Sequence, residues 1–275
     1  MNTLRTLGGV MAAAVALAAC APAATPAPTA APAATEAPAG GLPDLGGRTI
    51  KIAVENAYNP FNFIDEATGK GVGYDYDFFD EACKRLNCKT EFVTTSWDAI
   101  VAVMGGTGQA EFDVAADGIT ITEERAKHID FSTPFIQLKQ MLLVRGDESR
   151  FTDAESLKAV ADFKVGAQPG TTNFDLAVEM FGEDHVATYD QYGLIVQALI
   201  NGDIDATLMD DVAGKGYIGA NPDKLKLIGE PLTDEKLGFV FPKGSDLVDP
   251  FNTVIAAMET DGTLAQIYDK WFNTK

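Results

Sequence analysis

Histidine and cysteine are scarce in this chain of 275 residues, with two of the first and three of the second. His128 and His185 lie far apart and neither has a ligand-spaced neighbour, so a zinc centre has no support in the sequence. Basic charge is also short. Lys and Arg number 21 against 40 Asp and Glu, a formal net charge of −19 at pH 7, which argues against a nucleic-acid partner and gives no attraction to anionic lipid. Catalytic signatures are missing as well: there is no Gly-x-Ser-x-Gly elbow, no His-Glu-x-x-His and no calcium-loop pattern. Gly105-Gly106-Thr107-Gly108 lacks the Lys-Ser/Thr ending of a phosphate loop and follows a predicted helix, and Gly214-Lys215-Gly216 fails on the same ground. No metal, no cofactor and no enzymatic turnover are expected.

Long apolar runs are absent except for Leu7 to Leu17, which is too short to span a bilayer. Only Arg5 precedes it as a charge, and Leu17-Ala18-Ala19-Cys20 follows, the pattern of a bacterial secretory signal ending in a lipoprotein cleavage box. Residues 1–19 are therefore predicted to be a signal peptide, with Cys20 the lipidated N-terminus of the processed chain; the alternative is a chance cysteine after a conventional signal. From Ala21 to Gly41 the chain is largely Ala, Pro and Thr with one charge, Glu36, too little apolar bulk to fold, so residues 20–47 read as a tether. Loss of Arg5 takes the formal charge from −19 to −20 and leaves the acyl chain as the evident membrane anchor. The expected location is extracytoplasmic, at the cell surface or in the periplasm, and the expected state is a monomer. Cys83 and Cys88 remain as a pair in an oxidising compartment, either bridged or as two free thiols.

From Arg48 onward strand and helix patterns alternate. Thr49 to Val54 and Lys89 to Val93 read as strands, Tyr74 to Leu86 and Trp97 to Met104 as helices, and Phe112 to Ala116 as a buried strand before a helix starting near Thr122. The alternation recurs from Phe163 to Ile218, giving two α/β lobes with parallel sheets. Lys139 to Val144 and Leu237 to Phe241 are short apolar strands placed to pass between the lobes, and the helices after Asp249 return to the first.

One stretch carries candidate chemistry. Asp117-Gly118-Ile119-Thr120-Ile121-Thr122-Glu123-Glu124-Arg125 sets a cation one turn beyond a hydroxyl-rich loop, an arrangement able to hold a small carboxylate through loop amides, Thr120, a helix N-terminus and a two-pronged Arg125 ion pair. The alternative is an ordinary capped helix with its arginine in water.

Seven motifs in register give a family resemblance: Tyr58-Asn59-Pro60-Phe61, Gly71-Val72-Gly73-Tyr74-Asp75, Asp117 to Arg125, Asp130 to Phe135, Gly170-Thr171-Thr172, Asp205 to Asp210, and Asp261-Gly262-Thr263-Leu264 before Lys270-Trp271-Phe272. Over residues 48–275 the chain resembles the polar amino-acid-binding solute receptors of bacterial ABC importers, which share the type II periplasmic-binding-protein fold. The resemblance implies one lobe from residues 48–138 and 239–275, and hinge strands with a second lobe over 139–238. It implies that Arg125 grips a ligand α-carboxylate with Thr120 and Thr172, and that Asp210 and the Gly118 backbone oxygen receive the α-ammonium. For Asp211 the alternative is a helix first-turn charge; for Tyr58 and Trp97, which would flank the ligand, it is membership of the core.

Glu55 and Asp117 stand where lysine/arginine/ornithine and histidine receptors contact the distal amine or ring, and two carboxylates there favour arginine or lysine over glutamine. Gln168 and Met209 stand where a glutamine receptor has lysine and histidine, while cystine, histidine and a quaternary amine stay open. The implied partners are a small-molecule amino acid and a permease and ATPase complex, served by hinge closure. Two other readings remain: a cyclohexadienyl (arogenate) dehydratase using Glu55 or Asp117 as general acid, and a ligand-presenting sensory subunit.

Overall fold

A computed structural model describes residues 41–273, so the predicted signal peptide, Cys20 and most of the tether lie outside the described residues. Thr49–Val54 forms the opening strand, and Ile50, Ile52, Ala53 and Val54 are fully buried because it is flanked on both sides, by Lys89–Thr94 and Val114–Ala115. Val240–Pro242 and Ile129–Phe131 complete this first, five-stranded sheet. The second has the strand order Val186–Thr188, Val165–Ala167, Ala206–Asp210, Gln140–Arg145, Leu225–Ile228. Mixed α/β layers on two sheets define a type II periplasmic-binding-protein fold.

The sheets differ from the parallel arrangement expected of alternating strands and helices. Val240–Pro242 runs antiparallel to both neighbours in the first sheet, and Gln140–Arg145 does so in the second. Each reversed strand is the one that arrives from the other lobe, and a chain entering from outside a right-handed βαβ series need not share its direction. The passage itself is made by Ile136–Leu138 and Glu235–Leu237, which pair with each other as a two-stranded ribbon. The apolar strand read over residues 139–144 instead belongs to the second sheet.

Tyr74–Leu86 is a helix because Phe78, Phe79, Ala82, Cys83 and Leu86 share one buried face. It ends at Asn87 in the left-handed region, at φ 52°, and a Cys83–Cys88 disulfide spans that end. Phe78 and Phe79 pack on Phe239, which stacks on Phe135 with ring centroids 4.1 Å apart, so the core of the first lobe reaches the chain segment returning from the second. The motif Lys270-Trp271-Phe272 closes the first lobe, its Trp271 Nε1 donating to Asp77 at 2.7 Å.

The helix expected near Thr122 is a single 3-10 turn, Arg125–Lys127. Thr122 Oγ1 does accept from the Arg125 amide at 3.2 Å, but the next strand begins at Ile129 and leaves no room for a second turn. Among the described residues no helix is long and apolar enough to cross a membrane, and no cluster of metal-ligating side chains occurs.

Candidate functional site

Strand ends and helix starts of both lobes meet at a cleft. All ten ligand-binding residues expected from sequence line it, namely Glu55, Tyr58, Trp97, Asp117, Gly118, Thr120, Arg125, Gln168, Thr172 and Asp210, together with Thr171, Asn173 and Tyr192. Glu55 follows the opening strand, Asp117 and Gly118 follow Val114–Ala115, and Asp210 ends the central strand of the second sheet. Open α/β sheets bind ligands at such carboxyl ends of strands.

Arg125 reaches into the cleft half-buried. One guanidinium nitrogen donates to the Thr120 carbonyl at 2.8 Å and another to the Gly170 carbonyl of the second lobe at 3.0 Å, yet among the described residues no carboxylate lies close enough to form an ion pair. Burial pushes its pKa down, against the opposing pull of the Asp175 and Glu235 carboxylates beyond ion-pair range. The helix N-terminus facing this end is Thr172–Phe181, whose N-cap Thr171 accepts from the Phe174 amide at 3.0 Å. The positive end that sequence assigned to a Thr122 helix is therefore supplied by the other lobe.

The opposite end is acidic. Asp210, 2% exposed, accepts from Tyr58 Oη at 2.7 Å and from Asn173 Nδ2 at 3.4 Å and, among the described residues, has no cation in ion-pair range; burial raises its pKa to about 7. Asp211, by contrast, faces Lys215 at 3.5 Å and accepts from the Lys139 amide, the ordinary role of a first-turn acid. Glu55 and Asp117 lie side by side, both raised in pKa, chiefly by burial. Gln168 Nε2 donates to Glu55 Oε1 at 3.1 Å, while Asp117 Oδ2 is buried with no partner.

Two aromatic rings bound the space. Tyr58 packs between Phe61 and Tyr192, with centroids at 5.2 and 4.8 Å, and is both a wall of the cleft and a member of the core. Trp97 anchors its Nε1 on the Pro169 carbonyl at 3.0 Å, across the cleft. Gly118 has φ +59°, and a Cβ there would lie 2.7 Å from the Tyr58 ring. Gly118→Ala is accordingly expected to cost about 1–3 kcal/mol of stability from backbone strain alone and to displace Tyr58, lowering both the melting temperature and ligand affinity; thermal denaturation with and without ligand checks this.

Sequence reading missed the residues behind this wall. Asn62 Nδ2 donates to Asp75 Oδ2 at 2.9 Å and to Asp117 Oδ1 at 2.8 Å, and its own carbonyl accepts the Asn56 amide, which fixes the amide orientation. Asn62 directly follows the Tyr58–Phe61 motif and Asp75 closes the Gly71–Asp75 motif, so the positions were visible but their meeting was not. Glu235 was missed entirely. It sits in the charged run Thr233-Asp234-Glu235-Lys236, which reads as a solvated loop, yet it accepts hydrogen bonds from Thr120 Oγ1 at 2.7 Å and Thr172 Oγ1 at 3.1 Å.

Comparison with known proteins identifies the family. Residues 50–274 match the model of the bacterial extracellular solute-binding proteins, family 3, and the chain belongs to that family. It is similar to an L-cystine-binding protein of Escherichia coli (strain K12), 34% identical over 82% of each chain. Among solved structures, the arginine-, lysine-, histidine-binding protein ArtJ of Geobacillus stearothermophilus aligns with TM-score 0.74 and 30% identity, covering 83% of this chain and 96% of that one. An ancestral amino acid-binding protein described as a precursor of cyclohexadienyl dehydratase aligns with TM-score 0.73 and 32% identity, over 82% of this chain and 95% of that one.

Proposed function

We propose that the protein is an extracytoplasmic, lipid-anchored receptor that captures a basic amino acid, arginine or lysine, by closure of its two lobes and delivers it to an ABC permease. The observation that carries this reading is the charge layout of one cleft: among the described residues, a half-buried guanidinium with no carboxylate in ion-pair range at one end, and Asp210, Glu55 and Asp117 with no cation in ion-pair range at the other. Burying either kind of charge unpaired is costly, so a ligand with an α-carboxylate, an α-ammonium and a distal cation satisfies every group at once. Tyr58 and Trp97 then bound its aliphatic stem. Arg125 to Gly170, Trp97 to Pro169 and Tyr58 to Asp210 all cross the cleft, and such contacts favour the closed form that ligand would select.

A cystine ligand is favoured by one feature. An open groove adjoins the cleft at Glu55 and Trp97, lined also by Thr94, Ser96, Asp98 and Asp190, where a second amino-acid head could lie. Its carboxylates would attract the second ammonium but repel the second carboxylate, so arginine fits better. Calorimetric titration with arginine, lysine, histidine, glutamine, cystine, aspartate and glutamate tests the assignment. Arginine or lysine is expected to bind tightest, and tight binding of aspartate or glutamate would contradict the charge argument.

Proton uptake gives a further check. Burial raises Asp210, Glu55 and Asp117, so the ligand-free cleft holds protons near neutrality, and a bound cation favours their loss. Affinity for arginine is expected to rise between pH 6 and pH 8, by up to about tenfold per pH unit for each proton released. The binding enthalpy at pH 7 should vary with the ionisation enthalpy of the buffer. For stability the sign reverses: carboxyls with raised pKa stabilise the ligand-free fold most below their unfolded values and lose that contribution as pH climbs through about 7. The ligand-free melting temperature should therefore fall from pH 5 to pH 8, and arginine should restore most at pH 8. Glu148 and Asp261, both held near 2, finish titrating below this window.

A further inference from the structure

We infer that Glu235 is an internal counter-ligand: in the ligand-free closed form it takes the Thr120 and Thr172 hydroxyl protons that a bound α-carboxylate would otherwise receive, and so latches the lobes while competing with ligand. This rests on the reading that the Arg125 end of the cleft takes an α-carboxylate.

Glu235 opens one of the two strands joining the lobes and pairs there with Leu138. Its Oε2 accepts from Thr120 Oγ1 at 2.7 Å and from Thr172 Oγ1 at 3.1 Å, one hydroxyl from each lobe. Its Oε1 accepts from Gln140 Nε2 and from Thr233 Oγ1, the latter at 3.3 Å, and Gln140 Nε2 also donates to Thr172 Oγ1 at 3.0 Å. Glu235 does not line the ligand cleft. It borders an outer groove on the far side of the two threonines, which line both spaces and form the wall between them.

A threonine hydroxyl has a single proton to donate. With both protons committed to Glu235, the two oxygens turn only lone pairs toward the cleft, the wrong polarity for a carboxylate. Either the ligand carboxylate draws the protons away or it relies on Arg125 and the amides at the start of Thr172–Phe181. In both cases Glu235 stabilises a closed state that must be given up, in whole or part, when ligand arrives, and a state populated only without ligand lowers apparent affinity. A purely structural carboxylate at a strand end would have no such dependence on ligand chemistry.

Two measurements on the processed full chain test the latch. In the first, no ligand is present: dyes attached through non-natural residues at the exposed positions Glu91 and Glu183, one on each lobe, report the interlobe distance by energy transfer. The wild type is expected to populate the short distance, with Glu235→Ala shifted to the longer one and Glu235→Gln between. In the second, calorimetry compares L-arginine with L-argininamide. Both variants are expected to bind L-arginine roughly three- to thirtyfold more tightly than the wild type does, the scale of one competing charge-assisted hydrogen bond, and to change by less than about twofold for the carboxamide. An unchanged ligand-free distance, weaker or equal L-arginine binding, or an equal gain for both ligands would overturn the inference. If the wild type binds no L-arginine, the basic amino-acid reading fails while the ligand-free distance still decides the latch.

Discussion

Arg125→Ala is expected to reduce ligand affinity by at least about thirtyfold. Removing one member of a buried charge pair costs roughly 2–5 kcal/mol, because the remaining carboxylate is left desolvated and unpaired. Arg125 also donates to the Thr120 and Gly170 carbonyls, which lie on opposite sides of the cleft, so its loss removes a contact between lobes as well. Arg125→Lys keeps the charge but lacks the planar fork and is expected to recover only part of the loss. Calorimetry with the best ligand from the panel reads the effect, and unchanged affinity in the alanine variant would place the anion subsite elsewhere.

Asp210→Asn is the second large effect, a loss of roughly 30- to 1000-fold, or about 2–4 kcal/mol, for a ligand carrying an α-ammonium. The asparagine retains a hydrogen-bond acceptor for Tyr58 and nearly the same volume, so the fold should be kept, and the melting temperature without ligand should fall less between pH 5 and pH 8 than in the wild type. The variant should also lose part of the rise in affinity between pH 6 and pH 8, because one of the titrating carboxyls is gone. Agmatine, which lacks the α-carboxylate but keeps the amine, completes the comparison: bound with its guanidinium toward Glu55 and Asp117, it should suffer from Asp210→Asn about as much as arginine does and from Arg125→Ala far less.

Much of the fold is written in local pattern. Thr49–Val54 and Tyr74–Leu86 carry strand and helix periodicity strong enough to place their ends to the residue. The one-turn helix at Arg125–Lys127 was overestimated because Thr122, Glu123 and Glu124 make a good start, and the signal that ends it is the strand at Ile129 rather than any breaker. The reversed strands were illegible for a different reason. Direction within a sheet follows from how the chain enters a lobe, and that is fixed by long-range pairing, which periodicity does not report.

The candidate site divides in the same way. Arg125, Asp210, Glu55 and Asp117 were named because charged residues at motif positions have a chemical reading in one dimension. Asn62, Asp75 and Glu235 acquire theirs only through contacts made in three. Asn62 matters because one amide spans two carboxylates that are 42 residues apart in sequence, Asp75 and Asp117, and Glu235 because it meets threonines 115 and 63 residues away. An acid in a run such as Thr233-Asp234-Glu235-Lys236 is usually a solvated one, and only the ribbon with Ile136–Leu138 turns it inward.

Tight binding of arginine or lysine would establish a ligand but not its orientation, on which the whole account depends. The most direct test is a crystal structure of the protein with L-arginine bound. The account predicts the α-carboxylate within hydrogen-bonding distance of the Arg125 guanidinium, the α-ammonium on Asp210 and the ligand guanidinium at Glu55 and Asp117. A ligand bound with its α-carboxylate at the Asp210 end, or outside this cleft, would contradict it.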